Sequence, residues 1–232
     1  GAGLLHVSTA YVCGTRDGVI REDDPLPDSG FANGYEASKA AGERLVRASG
    51  LDWAIARPGI TLGGYESGRV RQFDALYMAF RLIAEGRIRL VPAGADATLA
   101  FVPIDHVAGG IAAMVENWEA ARGGTYHLIA SEPLPMADFA RGIGSVEGLR
   151  SPTLVDPAQF DASTLPPLER RLHGRVSALY ASYVQRDPRF DDSRFRALTG
   201  IESGPADEAY LRRLIDFCTE EGFLPAAGVL AR

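Results

Sequence analysis

Cysteine is scarce in this chain: there are two, Cys13 and Cys218, far apart. Such a pair gives neither a disulfide framework nor a metal cluster, which leaves a reducing, cytoplasmic setting as the expectation. His106 has no His, Cys or carboxylate partner at metal-ligand spacing, so it reads as a structural polar residue and no metal site is expected. No apolar run approaches the ~18–20 residues that span a bilayer, and no basic segment precedes a short apolar one as in a signal peptide. Basic blocks are also missing. With 24 Lys and Arg against 30 Asp and Glu, the formal charge is -6, which makes nucleic acid a poor partner.

What is present is ordinary globular composition, 46% hydrophobic and 23% charged over 232 residues. That is enough for a substantial core in one domain or one and a half. The chain is organised around Gly34-Tyr35-Glu36-Ala37-Ser38-Lys39. These residues read as the first turns of a helix that Gly50 ends, with Asn33 as a cap or a cleft residue. Tyr35 and Lys39, at i and i+4, share a face. A fixed ammonium near a phenol favours the phenolate, so Tyr35 could exchange a proton with a carbonyl or alcohol near neutral pH. Upstream, Leu4-Leu5-His6-Val7 runs as a buried strand into the hydroxyls of Ser8 and Thr9. Downstream, Leu51 to Arg57 is a second strand, stopped by Pro58-Gly59. Open parallel sheets place their sites at such strand ends.

Three stretches carry a family resemblance: His6-Val7-Ser8-Thr9-Ala10-Tyr11-Val12, Gly34-Tyr35 through Lys39, and Arg57-Pro58-Gly59-Ile60. Together they resemble the extended short-chain dehydrogenase/reductase superfamily. Within it, the wording is most similar to the fatty acyl-CoA reductase and thioester (carboxylic acid) reductase branch, the "male sterility" NAD-binding domains. The likeness runs from residue 1 to about residue 140. It implies an α/β fold: a partial Rossmann-like, doubly wound parallel sheet with a small C-terminal substrate lobe and a helical tail. It also implies catalytic roles for Thr9, Tyr35 and Lys39, with Ser8 beside Thr9. Thr9 would polarise the substrate carbonyl and Tyr35 would act as acid/base. Lys39, with Tyr35, would meet the nicotinamide ribose, and the backbone of Pro58, Gly59 and Ile60 the nicotinamide. Cys13 departs from the tyrosine common at its position and reads as a packing variant. The larger departure is the glycine-rich turn that holds the dinucleotide pyrophosphate, which no stretch of this sequence supplies. The chain therefore reads as the C-terminal part of a longer reductase.

The rest divides into residues 1–143 as the C-terminal part of the NAD(P)-binding domain with substrate-lobe elements, 144–167 as a linker or arm, and 168–232 as a helical region. Arg16 to Gly34 reads as a surface loop and Thr61 to Val70 as a flexible active-site loop. Phe73, Leu76, Tyr77, Phe80 and Ile83 form an aromatic helical stripe, more simply core than acyl contact. Asp105 fits a helix N-cap. Leu172, Val176, Leu179, Tyr180 and Tyr183 form a further stripe in the tail.

The function expected is NAD(P)H-dependent reduction of an acyl thioester, acyl-CoA or carrier-bound, to aldehyde or alcohol. NADPH is the expected cofactor and NADH the alternative. Partners would be the thioester or another carbonyl compound, an acyl-carrier domain or the missing N-terminal half, and a second copy of the chain, since a cut sheet leaves an open edge. Two alternatives stand beside it. One is another activity of the superfamily, a sugar-nucleotide epimerase or dehydratase or a hydroxysteroid-type dehydrogenase. The other is a non-catalytic scaffold.

Overall fold

A computed structural model gives the fold. It describes residues 2–94 and 96–225, apart from the side chains at 176–180 and 182. Val176, Leu179 and Tyr180 of the expected tail stripe, and residues 226–232 of the expected helical tail, therefore lie outside the described residues. The chain begins with β1 (Leu4–Val7), a 3-10 turn (Ala10–Cys13), β2 (Gly18–Ile20), α1 (Gly34–Ala48), β3 (Trp53–Pro58) and β4 (Ile60–Leu62). It continues through α2 (Ala75–Ala84), β5 (Leu90–Pro92), β6 (Thr98–Leu99), β7 (Phe101–Pro103), α3 (Ile104–Glu116), α4 (Trp118–Ala121) and β8 (Thr125–Leu128). Then come β9 (Leu134–Pro135), α5 (Met136–Gly144), β10 (Thr153–Val155), a 3-10 turn (Ala162–Thr164), α6 (Pro167–Val184), β11 (Pro188–Phe190), α7 (Ser193–Thr199) and α8 (Glu208–Glu220). Two compact units interleave along the chain. One is Gly1–Leu62, Ala100–Glu132 and Pro188–Pro205; the other is Gly63–Leu99, Pro133–Asp187 and Ala206–Arg232.

The first unit is built on a parallel sheet in the order β1-β3-β8. Leu4 to Val7 align with Trp53 to Ala56, and Ile55 to Pro58 with Thr125 to Leu128. Parallel neighbours need a crossover, and α1 makes the one between β1 and β3. Alternation along each strand then sorts the side chains. Leu5, Ala54, Ala56, Tyr126 and Leu128 pack with Val107 and Met114 of α3 and Phe195 of α7 into an apolar core. His6, Ser8, Arg57, Thr125 and His127 fall on the other face, under α1. Helices on both faces make the sheet doubly wound, and all but one of the strand pairings among the described residues are parallel.

Local chemistry explains where these elements begin and end. Asn33 caps α1: its Oδ1 accepts the Glu36 N–H at 2.9 Å while Glu36 Oε2 accepts the Ala32 N–H at 3.2 Å, a reciprocal box. Gly50, at φ 73°, turns the chain out of the helix. Asp105 is not the cap of α3. Pro103 holds that position, without a side-chain bond, and Asp105 sits in the first turn. Pro58-Gly59 ends β3 without ending the extended chain. The Gly59 N–H donates to Leu128 O at 3.0 Å and the Ile60 N–H to Ala100 O at 2.8 Å, and β4 goes on to pair with β7. A Cβ at Gly59 would lie 2.4 Å from Ala100 O, so the switch of partner requires glycine.

The loop between residues 16 and 34 is less of a surface feature than its charges imply. β2 within it pairs with β11 from the far end of the chain, and Glu22 is 1% exposed. Its carboxylate accepts the N–H groups of His127 at 2.9 Å, Arg194 at 2.7 Å and Phe195 at 3.0 Å. It thus ties β8 to the first turn of α7.

In the second unit, β5 pairs with β10 in parallel and β6 with β9 antiparallel. α2 packs on α6 and α5 on α8. Residues 144–167, expected as a linker or arm, contain β10; its three residues are masked in the sequence by the flanking Ser-Pro and Asp-Pro turns. The stretch expected as a flexible loop is pinned. The Gly63 N–H donates to Tyr77 Oη at 3.1 Å, and Gly63 O accepts from the Tyr210 hydroxyl at 2.6 Å. Its glycines serve close approach rather than mobility, since a Cβ at Gly63 would lie 2.0 Å from Gly68 O. The aromatic stripe leading into and along α2 packs within the unit, with Phe73 stacked on Phe223 at 4.1 Å and the Phe80 ring tilted against Phe139 at 5.9 Å. No helix among the described residues is long and apolar enough to cross a membrane.

Burial outweighs the three N–H donors and pushes Glu22 up to about 7. A carboxyl raised on folding adds stability that is complete below its unfolded value and lost as pH rises through the folded one. Its window is therefore about pH 4.5 to 7. His127, lowered to about 4 by burial and then by Arg57, gives a slope of opposite sign, so the difference between proteins is the quantity to read. Urea melts across this range should show wild type losing stability relative to Glu22→Gln as pH rises. The variant should be less stable at low pH, because an amide cannot accept all three N–H groups. Parallel stability curves would rule out titration of Glu22.

Candidate active site

The expected site residues gather at the C-terminal ends of β1 and β3 and at the start of α1. Ser8 and Thr9 follow β1 and are both buried. Thr9 Oγ1 accepts the Tyr11 N–H at 3.4 Å, starting the 3-10 turn, and donates to Pro58 O at 3.5 Å. Thr9 is thereby brought to the Pro58-Gly59 switch. Ser8 serves a different neighbour: it lies by the Glu43 carboxylate and helps hold it ionised, though its Oγ makes no hydrogen bond of full geometry.

Tyr35 opens α1 and is 53% exposed. Lys39 Nζ stands 5.9 Å from the centre of its ring and donates to Val7 O, at the end of β1, at 3.1 Å. Helix and strand end are thus joined through the ammonium. The phenol is nevertheless raised from its ordinary value, first by burial and then by the Glu36 carboxylate. The expected lowering by Lys39 does not appear: the ammonium donates to Val7 O, and burial and Glu36 set the direction. Pro58 and Ile60 are buried, and the N–H groups of Gly59 and Ile60 are already committed to strand pairing. This segment offers a surface rather than donors.

One pair was missed in the sequence. Glu43 on α1, fully buried, holds Arg57 of β3 with Oε1–Nε at 2.9 Å and Oε2–Nη2 at 2.8 Å. Burial raises the Glu43 carboxyl, but Arg57 and then Ser8 and Arg47 draw it below its ordinary value. The signal was available: Glu43 stands four residues after Lys39, and Arg57 interrupts an apolar strand.

These residues fit one end of a nicotinamide dinucleotide. An ammonium has three donors, of which Lys39 commits one to Val7 O. The other two, with a half-exposed phenol and a hydroxyl near the strand ends, suit a ribose diol and a carbonyl. Among the described residues no strand, glycine-rich turn and helix follow one another as a pyrophosphate cradle. None forms a group of three metal-ligating side chains.

The NAD-binding family described as Male sterility protein matches residues 2–111. No curated protein matches the chain. Among solved structures, it is similar to the terminal R domain of the myxalamid PKS-NRPS biosynthetic pathway, with 25% identity and a TM-score of 0.79 over 97% of this chain and 59% of that one. A thiolation-reductase di-domain from an archaeal non-ribosomal peptide synthetase shares 18% identity, with a TM-score of 0.66 over 95% of this chain and 49% of that one. UDP-glucuronic acid 4-epimerase from Bacillus cereus, in complex with UDP-glucuronic acid and NAD, shares 17%, with a TM-score of 0.67 over 94% and 62%. The chain thus spans roughly half to two thirds of the length of the structures it resembles. Residues 2–111 are thus similar to the NAD-binding Male sterility protein family, and the fold is similar to that of the terminal R domain.

Proposed function

We propose that this chain carries the acid/base part of an NAD(P)H-dependent reductase acting on an acyl thioester, either acyl-CoA or carrier-bound. The observation that carries this reading is the join of Lys39 to the end of β1 beside Tyr35, in a chain similar over 97% of its length to a terminal R domain. The bound nicotinamide would supply hydride from its C4 position. Released from its long 3.5 Å contact with Pro58 O, the Thr9 hydroxyl donates a hydrogen bond to the carbonyl oxygen, and Tyr35 gives that oxygen a proton as negative charge develops there. Lys39 binds the ribose hydroxyls and stabilises the phenolate that Tyr35 becomes. Hydride and proton, with loss of the thiol, convert a thioester to an aldehyde; a second pair converts the aldehyde to an alcohol. NADPH is the preferred donor, and the likeness to a thiolation-reductase di-domain favours a carrier-bound substrate.

With the full chain of the protein, reduced cofactor should be consumed in the presence of a long-chain or carrier-bound thioester and not of a sugar nucleotide. Apolar burial of ~0.8 kcal/mol per methylene should raise kcat/KM about fourfold per added methylene for as long as the added carbons are buried. A flat chain-length profile with turnover of a sugar nucleotide would replace this reading with the epimerase one.

Tyr35→Phe should lower turnover roughly 10²–10⁴-fold with cofactor affinity retained. Because Tyr35 is 53% exposed, the same change should leave stability within about 0.5 kcal/mol. Ordinary turnover by the variant would remove Tyr35 from the chemistry.

A further inference from the structure

α1 is held to the sheet by a ladder of polar contacts. Lys39, Glu43 and Arg47 succeed one another at i+4 spacing and share one face, a row that Tyr35 begins one turn earlier. Each crosses to a different strand. Lys39 Nζ reaches Val7 O of β1 at 3.1 Å. Glu43 takes Arg57 of β3 through two bonds of 2.9 and 2.8 Å. Arg47 Nη2 reaches Thr125 Oγ1 of β8 at 2.7 Å, with its guanidinium 4.8 Å from the centre of the Trp53 ring.

The three contacts differ in how tightly they fix the helix. Lys39 is a single donor on a flexible stem, and Arg47 is partly exposed. The middle contact is a two-point ion pair with both side chains buried. A fork-to-fork pair fixes direction as well as distance, and sliding it apart would leave an uncompensated buried charge. Elsewhere α1 is held by the fully buried Ala40 and by Arg44, whose Nη2 donates to Pro27 O at 2.5 Å, outside the sheet. The sheet face beneath α1 carries His6, Ser8 and His127, whose Nε2, Oγ and Nε2 atoms are buried without hydrogen-bond partners. Gly42 presents only its backbone to the His6 ring.

We propose that the Glu43–Arg57 pair is the positioning element of the Tyr35–Lys39 site, seating α1 on the sheet at the register in which Lys39 meets the end of β1. Its kinetic consequence rests on the reductase reading; its structural consequence does not. Neither residue touches substrate or cofactor in this role.

The test is Glu43→Gln, which keeps the shape of the side chain and removes its charge, read by amide hydrogen exchange and by kinetics in the full chain of the protein. Exchange over residues 34–41 should speed up by about tenfold or more relative to β1 and β3. The kcat for thioester reduction should fall roughly 10–100-fold, as for a misplaced catalytic group, with KM within about threefold. Arg57→Lys keeps the charge without the fork. It should loosen the same segment less, restore part of kcat, and serve in place of Glu43→Gln if that variant does not fold. Uniform loss of protection across the sheet, with unchanged kcat in the folded protein, would show a merely structural pair and overturn the proposal. So would wild-type exchange in residues 34–41. If wild type reduces no thioester, the reductase reading falls while the exchange result still decides this one.

Discussion

A carboxylate and a guanidinium buried together under α1 constrain everything around them in the first unit. Taking two such charges out of water costs several kcal/mol for each ion, which their attraction offsets only in good geometry. The sheet must therefore present Arg57 on the α1 side. Alternation then puts Ala54 and Ala56 on the opposite face, where they pack in the apolar core. A one-residue slip of β3 would drive Arg57 into that core and place Ala56 opposite Glu43. The pair so enforces the strand register, and the register delivers Pro58 to Thr9 and the end of β1 to Lys39.

The second unit meets a different constraint. Its ion pairs Arg81–Glu85 and Arg89–Glu169 keep the arginine at the surface, and aromatic clusters stand within a mostly aliphatic core. Tyr77 and Tyr210 satisfy both backbone groups of Gly63, and Tyr65 stacks on Tyr210 with Arg213 above it at 4.7 Å. Glycine at 63 and 68 lets two backbone segments approach more closely than any Cβ would allow. Glycine density alone could not distinguish such a clamp from a mobile loop, because the same residue serves both.

What was legible in the sequence was local. α1 announced itself through Asn33, the Tyr35 to Lys39 spacing and Gly50, all within one helix. β1 and β3 were apolar runs with clear ends. What stayed hidden depended on partners distant in sequence. The pairing of Gly18–Ile20 with Pro188–Phe190 leaves no periodic trace in three-residue strands. Glu22 looked like one more acid in a charged loop, until β8 and α7 supplied the N–H groups that bury it. The proton affinity of Tyr35 was misjudged for a similar reason. Helical spacing puts Lys39 on its face, but not how the ammonium is shared with Val7 O or how Glu36 acts next door.

That last difference bears on the direction of the chemistry. Threonine, tyrosine and lysine at the ends of a parallel sheet could serve a reductase or an epimerase equally, and fold likeness extends to both. The two begin differently. Reduction of a carbonyl needs a protonated phenol that gives up its proton as hydride arrives, whereas an epimerase that begins by oxidising an alcohol needs a phenolate. Burial and Glu36 both hold Tyr35 in its protonated form. Lys39, whose ammonium lies 5.9 Å from the ring centre, is the group placed to oppose them. A free phenol is itself protonated near neutral pH, so the geometry of the bound substrate, rather than this shift, separates the two chemistries.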